Sequence, residues 1–334
     1  MKLDTQLRAP LGQVADEARQ LADAGFDGAF TFEGPHDVFF PVLEAADSGL
    51  DLYTNLAIAF PRSPTHLAHA GWDLQERSGG RFALGLGTQV RAHIERRYGT
   101  PWDKPVSRMR ELIEATRAIW ACWQDGVDLA YEGEHYQLSL MPPTFRPSAL
   151  PSGPPPILVG AVGPDMTRMV AKAADGLLVH PFQTPSFMDD VLLPRIEQGL
   201  AASGRDRADF TLVCESIVAV WTSEDEREQA LTAARGLVAF YGSTPAYRVV
   251  LEAEGMGDLQ PKLQAMVRQG DWGEMGTLVP DELLQKVVVC GEPDEVGETL
   301  ASRYGAVADR LGFYSPGQVI SADSLRRITA AARI

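Results

Sequence analysis

The stretch LDLYTNLAIAFPRSPTHLAHAGWDLQERSGGRFALGLG, residues 50–87, decides the fold class of this chain. Residues 50–60 are a nearly continuous apolar run, which is typical of a parallel strand that is buried on both faces. Residues 65–77 are predicted to form a helix, and residues 81–87 a second strand. A strand, a helix and a parallel strand form a right-handed βαβ unit, so this stretch predicts an α/β protein.

The same alternation continues on both sides of this unit. The other predicted strands are residues 3–7, 26–32, 156–160, 176–179 and 210–221, and the other predicted helices are residues 13–24, 40–48, 104–124, 166–174 and 188–203, with one more from residue 225. Gly25 is expected to end the first helix, because glycine readily adopts the left-handed conformation found there. Four aromatic and sulfur side chains at helical spacing are expected in the core: Trp72, Met109, Trp120 and Trp123.

Two segments compete for the last strand. They are residues 287–289 and residues 307–313, on either side of a helix that begins at Pro293. With either choice about eight strand–helix units can be counted, which favours a closed (β/α)8 TIM barrel over an open sheet. We therefore predict that residues 1–334 form a single barrel domain.

Two long segments interrupt the alternation and are predicted to be insertions. Residues 127–156 have the pattern of a polar hairpin with a proline-rich return, and residues 242–280 have helical patches between glycine-rich breaks. Loops of this length inside a compact domain usually have a function, such as covering a site.

Composition excludes several classes of partner. The net charge of −15 argues against nucleic acid and against an anionic membrane surface. Cys122, Cys214 and Cys290 are odd in number and far apart, which predicts reduced thiols and neither a disulfide framework nor a zinc site. The first residues lack the apolar run of a signal peptide, and no segment reaches about 18 uncharged apolar residues. We expect a cytoplasmic protein.

Barrel enzymes carry their sites at the carboxyl ends of the strands, and this rule selects candidate residues. Glu33 and His36 follow the second strand, His93 follows the fourth, and His180 follows the sixth. A histidine ordinarily titrates near neutral pH, so His36 is a candidate acid or base, although a structural loop histidine fits the same position. The histidines have no carboxylates at metal-ligand spacing, so no metal site is expected.

Residues 160–164, Gly-Ala-Val-Gly-Pro, stand directly before a helix. Small residues let the backbone approach a ligand, and free N–H groups at the start of a helix favour a phosphate. A simple tight turn between strand and helix is the alternative. The Gly85-Leu86-Gly87 sequence lacks the third glycine of a dinucleotide-binding fingerprint, and no hydrolase or kinase motif occurs.

Several motifs resemble the bacterial-luciferase-like superfamily of flavin- and coenzyme F420-dependent enzymes. They occur in order over nearly the whole chain, at residues 60–64, 72–88, 133–136, 163–166 and 173–176. Residues 88–99 and 108–111 resemble the branch that is usually assigned to F420. The resemblance implies a barrel in which the cofactor ring packs on the third strand, often at a bulge with a non-prolyl cis peptide, here near residues 55–57.

The resemblance also implies the roles of individual residues. Together with the strand-end rule it predicts His36 and Glu33 as catalytic residues and the following cofactor-binding residues: Asn55, Leu56, Ala57, Thr88, Gln89, His93, Gly160, Ala161, Val162, Gly163 and His180. The cofactor phosphate is expected at Thr88 and residues 161–163. Sugar-phosphate dehydrogenases of this superfamily have a glutamate where this chain has Val90, so a small apolar substrate near Phe39, Phe40 and Phe60 is expected instead.

Three functions fit these features. The first is F420-dependent hydride transfer to or from a small organic substrate. The second is a monooxygenase that takes reduced FMN from a partner reductase and protects a reactive intermediate from water. The third is a non-catalytic flavin- or F420-binding protein, since fold does not fix function. A homodimer is expected from the resemblance.

Overall fold

The computed structural model describes residues 1–333. Its strands are β1 Lys2–Gln6, β2 Gly28–Thr31, β3 Asp51–Thr54, β4 Ala57–Ile58, β5 Phe82–Gly87, β6 Tyr131–Glu132, β7 Gln137–Leu138, β8 Ile157–Gly160, β9 Gly176–Leu178, β10 Thr211–Val220, β11 Val288–Gly291 and β12 Arg310–Tyr314.

Its helices are α1 Val14–Asp23, α2 Phe40–Ala45, α3 Pro64–Arg77, α4 Arg91–Arg96, α5 Pro105–Gln124, α6 Pro164–Ala173, α7 Pro185–Phe187, α8 Leu193–Ser203, α9 Glu224–Gly242, α10 Arg248–Ala253, α11 Leu259–Gln269, α12 Asp281–Val287, α13 Pro293–Tyr304 and α14 Ala322–Ala331. A π-helical turn at Met188–Leu192 leads into α8. Short 3-10 turns occupy Pro143–Phe145, Arg207–Asp209, Pro245–Tyr247 and Met275–Leu278.

The parallel sheet closes into the predicted barrel. Around the barrel the strands follow the order β1, β2, β3, β5, β8, β9, β10 and β12, and β12 pairs with β1 to close it. Both candidates for the last strand form, but β12 is the one that closes the barrel. The other, β11, pairs with the second half of β10, which extends beyond its pairing with β9 because β10 is 10 residues long.

The prediction of one continuous strand over residues 50–60 is wrong. The segment divides into β3 and β4, and the bond between Asn55 and Leu56 is a cis peptide, as the resemblance implies. Tyr53 pairs with Ala83, and Ala57 pairs with Leu86. Three residues on this side therefore oppose two on β5, which is the geometry of a β-bulge. An apolar run does not reveal such an extra residue.

Two apolar layers hold the barrel together. Phe30, Tyr53, Leu158, Leu178 and Val213 fill the interior. A larger cluster lies between the strands and the helices, and it includes the predicted core residues Trp72, Met109, Trp120 and Trp123, all of which are buried. Burial of each such large side chain contributes about 1.5–3 kcal/mol to stability.

Helix boundaries follow local chemistry. The side chain of Ser63 accepts a hydrogen bond from the His66 N–H, and Pro64 begins α3. Gly25, at φ 91°, ends the turn after α1 as predicted. The short helix α4 was not predicted, because no apolar stripe identifies it. The hairpin and the helical patches predicted in the two insertions are present as β6–β7 and as α10 and α11. Within residues 1–333, no helix combines the length and the apolar character needed to cross a membrane.

Candidate active site

Polar side chains form the layer of the barrel interior next to its carboxyl end. Side chains on a strand alternate between its two faces, so the residue two positions after an inward residue also faces inward. Tyr53 and Val213 belong to the interior cluster, and the residues that follow them at this spacing are Asn55 and Glu215.

A hydrogen bond joins these two residues. The Asn55 Nδ2 donates to Glu215 Oε2 over 2.9 Å. Asn55 follows β3 and Glu215 lies in β10, and these strands are not neighbours in the sheet, so the bond crosses the barrel interior. Glu215 is only 8% exposed. Burial raises the pKa of Glu215 to about 8, against the opposing effect of the Asn55 hydrogen bond. The protonated form therefore predominates at neutral pH.

His180 follows β9 and is also neutral. Its Nδ1 accepts the backbone N–H of Phe182 at 3.1 Å, which leaves the ring proton on Nε2. Its ring centroid lies 4.3 Å from that of Tyr247 and 4.7 Å from that of Tyr241. Burial lowers the pKa of His180 to about 3, so at neutral pH the ring is a donor without charge.

Two tyrosines complete this layer. The hydroxyls of Tyr241, in α9, and Tyr314, at the end of β12, lie 3.0 Å apart. Burial raises the pKa of Tyr241 to about 12 and raises that of Tyr314 further. The carboxyl end of the interior thus presents groups that hold protons and carry no charge at neutral pH.

The bulge after β3 places the Leu56 side chain against glycines of two other strands. A Cβ atom at Gly87 would clash with Leu56 Cδ1, and one at Gly160 would clash with Leu56 Cδ2. Any larger residue at either position would displace Leu56. Thr54 Oγ1 donates to the Gly85 carbonyl and accepts the Gly85 N–H, so the side chain replaces ladder bonds that the bulge interrupts.

The structure places the two predicted catalytic residues differently. Glu33 Oε2 accepts from the backbone N–H of Ile58 at 2.8 Å and from Arg62 at 2.6 Å, and Oε1 accepts from the Tyr98 hydroxyl at 2.9 Å. Glu33 therefore fixes the position of β4. His36 is exposed, and the described residues include no hydrogen-bond partner for its ring. The catalytic roles of both residues stay predictions.

The predicted phosphate region follows two neighbouring strands, β5 and β8. After β5, the Thr88 hydroxyl donates to the carbonyl of Gln89, whose φ is 59°. His93 is exposed on α4. After β8, Ala161 is 8% exposed, Val162 is half-buried, and Gly163 stands directly before α6.

Sequence reasoning missed a cation in this region. Arg195 Nη1 donates to the carbonyl of Val162 at 3.4 Å. Among residues 1–333, no carboxylate lies within ion-pair distance of its guanidinium, and burial together with Arg168 lowers its pKa. A partly buried arginine beside free helix N–H groups suits an anionic ligand.

Other site residues escaped prediction for identifiable reasons. Glu215 is the only charged residue in the predicted strand 210–221, and this departure from the apolar pattern was an available signal. Tyr241 and Tyr247 lie at the end of α9 and in the turn that follows it, far along the chain from the strand ends that they meet. Phe60, expected in the substrate pocket, is instead buried against Trp102 at a centroid distance of 5.6 Å.

Comparisons with known proteins agree with the observed fold. The model of the luciferase-like monooxygenase family matches residues 2–310. An uncharacterised protein of Mycobacterium tuberculosis is 46% identical over 313 residues, which cover 93% of this chain and 92% of the relative. The 5,10-methylenetetrahydromethanopterin reductase of Archaeoglobus fulgidus is 33% identical over 245 residues, which cover 71% of this chain and 68% of the relative.

A solved structure is similar over almost the full length. It is the coenzyme F420-dependent tetrahydromethanopterin reductase from Methanopyrus kandleri, with a TM-score of 0.79 and 20% sequence identity. The match covers 98% of this chain and 96% of the reductase. This likeness confirms the predicted barrel fold.

Proposed function

The chain belongs to the luciferase-like monooxygenase family, and from this premise we propose that it is a coenzyme F420-dependent oxidoreductase. It transfers a hydride between the deazaflavin and a small apolar substrate. The observation that carries this proposal is the neutral, proton-holding layer of Asn55, His180, Glu215, Tyr241 and Tyr314 at the carboxyl end of the barrel. Hydride transfer requires that cofactor and substrate are oriented and that a proton donor or acceptor lies nearby. This layer supplies the proton donor or acceptor.

The residues present fit such a cofactor. Leu56 offers an apolar surface at the bulge, where the backbone of residues 55–57 would hold the ring. Arg195, the residues 160–163 before α6, and the Thr88–Gln89 turn would hold a phosphate, with His93 at the rim. When bound, F420 supplies a hydride donor or acceptor at its ring carbon. The names of the similar reductases from Archaeoglobus fulgidus and Methanopyrus kandleri support the same class of reaction.

The protein's own residues then have three tasks. Glu33 anchors the Ile58 N–H and Arg62, and so fixes the bulge on which the ring is oriented. The ring faces of His180, Tyr241 and Tyr247 pack together and would present an apolar surface that suits an apolar substrate. His36, on the exposed loop after β2, is proposed to exchange protons with solvent at the mouth of the barrel.

A reduced-FMN-dependent monooxygenase is the second candidate, because the matching family model carries that description. A partner reductase would then supply reduced flavin. We also propose a cytoplasmic homodimer, for which α2 offers exposed apolar side chains: Phe40 is 59% and Leu43 45% exposed.

A turnover assay separates the two candidates. Purified protein is mixed anaerobically with reduced F420 and a panel of small apolar ketones and enones, and the return of the oxidised cofactor's absorbance is followed. The proposal expects oxidation that depends on substrate and needs no oxygen. Product formed only with reduced FMN and oxygen, while reduced F420 stays unchanged, would establish the monooxygenase instead.

A further inference from the structure

Glu215 is a buried carboxyl group, and no cationic side chain of residues 1–333 lies within ion-pair distance of it. Among residues 1–333, its only hydrogen bond is the one that it accepts from Asn55 at Oε2. Oε1 has no partner, although the side chain is almost completely buried. A carboxylate in such a place would be costly, whereas a protonated carboxyl can carry its proton on Oε1 and accept from Asn55 on Oε2.

Among residues 1–333, the titratable side chains whose pKa depends on the charge of Glu215 are phenols that hold their protons. A negative charge on Glu215 would interact with three phenols: Tyr53 from β3, Tyr241 from α9 and Tyr314 from β12. Burial raises the pKa of each of them. His180, which packs against Tyr241, is neutral as well. No group in this surrounding would stabilise a permanent negative charge on Glu215, and none competes with it as an acid near neutral pH.

We propose that Glu215, positioned by Asn55, holds the proton that accompanies hydride transfer. This inference rests on the proposed function and adds the residue that completes its chemistry. The sequence-based expectation placed that role at Glu33 and His36. The geometry points to Glu215, because both Glu33 oxygens are already engaged by the backbone, Arg62 and Tyr98, whereas Glu215 Oε1 is free.

In the reducing direction the substrate carbon accepts the hydride from reduced F420, and the π electron pair of its C=O or C=C bond moves to the neighbouring atom. That atom takes the proton of Glu215, which is left as a carboxylate. Glu215 regains a proton from solvent. The oxidation of the cofactor releases one proton to solvent, so the number of protons is unchanged overall. The substrate is reduced by two electrons and the cofactor is oxidised by two.

Turnover should depend on pH in opposite ways for reduction and for oxidation of the substrate. Reduction of substrate needs the protonated carboxyl, and burial raises the pKa of Glu215 to about 8. Turnover in this direction should therefore be highest below that pH and fall as the pH rises through it. In the opposite direction Glu215 must accept a proton, so turnover should rise over the same interval.

A Glu215→Gln variant tests the proposal, with Glu111→Gln as the matched control. Glutamine keeps the volume and the oxygen that accepts from Asn55, but it cannot give a proton. Glu111 is another buried glutamate, which accepts the backbone N–H of His135 on the hairpin. We expect Glu215→Gln to lower kcat by about 100-fold or more, to abolish the alkaline fall of the pH profile and to leave F420 affinity within about twofold. Glu111→Gln should retain the wild-type kcat, pH profile and F420 affinity.

Infrared spectroscopy of the protein without cofactor gives a second readout. Wild-type protein should show the C=O stretch of a protonated carboxyl at neutral pH, and this band should vanish as the pH passes about 8. The band should be absent from Glu215→Gln and present in Glu111→Gln. A wild-type spectrum without the band, or a Glu215→Gln kcat within about threefold of wild type, would overturn the proposal. If the band is present but F420 does not bind, the proposed function fails while the protonated carboxyl stands.

Discussion

The two ends of the barrel interior bury acidic side chains in opposite ways. At the amino end, Arg310 donates to both oxygens of Asp4, at 2.6 and 2.8 Å, and to Asp51 at 2.7 Å. Lys2 binds Asp51 at 2.6 Å, and the Tyr53 hydroxyl donates to Asp4 at 3.1 Å. At the carboxyl end, the amide of Asn55 is the one hydrogen-bond partner of Glu215 in the described part of the chain.

The two ends therefore have different roles: the amino end stabilises the barrel, and the carboxyl end carries the chemistry. Burial raises the pKa of Asp4, but the charge of Arg310 opposes that rise and keeps a balanced ion pair. Such a pair holds strands together and has no proton to give. The carboxyl end has no cation to keep its glutamate ionised, so it retains a proton there. Barrel enzymes in general carry their chemistry at this end.

The largest expected effect comes from breaking the amino-end network. Arg310→Leu leaves Asp4 buried without its cation, and removal of one partner of a buried ion pair costs about 3–5 kcal/mol. The free energy of unfolding in urea should fall by that amount. Arg227→Ala, which breaks an exposed pair with Glu224, is the control and should cost less than about 1 kcal/mol. Equal losses in the two variants would show that the amino end is not the stabilising end.

A second test compares the two ends through the pH dependence of stability. Glu215 has an ordinary pKa of 4.5 and a pKa of about 8 in the folded protein, so between these values the folded state binds more protons than the unfolded state. Stability then falls as the pH rises, by at most about 1.4 kcal/mol for each pH unit. Glu215→Gln removes this slope. The free energy of unfolding of the variant in urea should therefore rise relative to that of wild type as the pH is raised from about 4.5 to about 8.

The control for this test is again Glu111→Gln, which should follow the wild-type slope. A constant difference between Glu215→Gln and wild type across the window would mean that Glu215 titrates normally. The acidic side chains at the two ends of the barrel would then both be ionised at neutral pH.

Sequence patterns were sufficient for the eight strands of the barrel, because most of the strands are apolar and they alternate with helices. The break at residues 55–56 and the extra strand β11 depend on pairing between distant segments, which no local pattern contains. The strand-end rule selected Asn55 and His180, which lie in the polar layer at the carboxyl end of the barrel. It missed Glu215 because the inward face of a ten-residue strand is set by its register with β9 and β12.

A third test concerns the rim of the carboxyl end. The sequence-based catalytic prediction for His36 requires His36→Ala to lower kcat by about 100-fold while F420 still binds, whereas the assignment of the proton to Glu215 predicts a kcat within about threefold of wild type. His66→Ala, on the exposed start of α3, is the control and should leave kcat unchanged. Steady-state kinetics with saturating cofactor would measure both. Unchanged turnover in His36→Ala would remove His36 from the mechanism and leave proton transfer to the buried layer.

The central claim, an F420 site at the carboxyl end, is tested most directly by titrating the protein with F420 and FMN, each oxidised and reduced. Such a site predicts micromolar F420 binding, seen in the cofactor's fluorescence, and negligible FMN binding. It also predicts that Arg195→Gln weakens F420 binding about tenfold, as expected for one charge-assisted contact, while Arg326→Gln on the exposed face of α14 has no effect. Preferential binding of reduced FMN, with no change in Arg195→Gln, would contradict it.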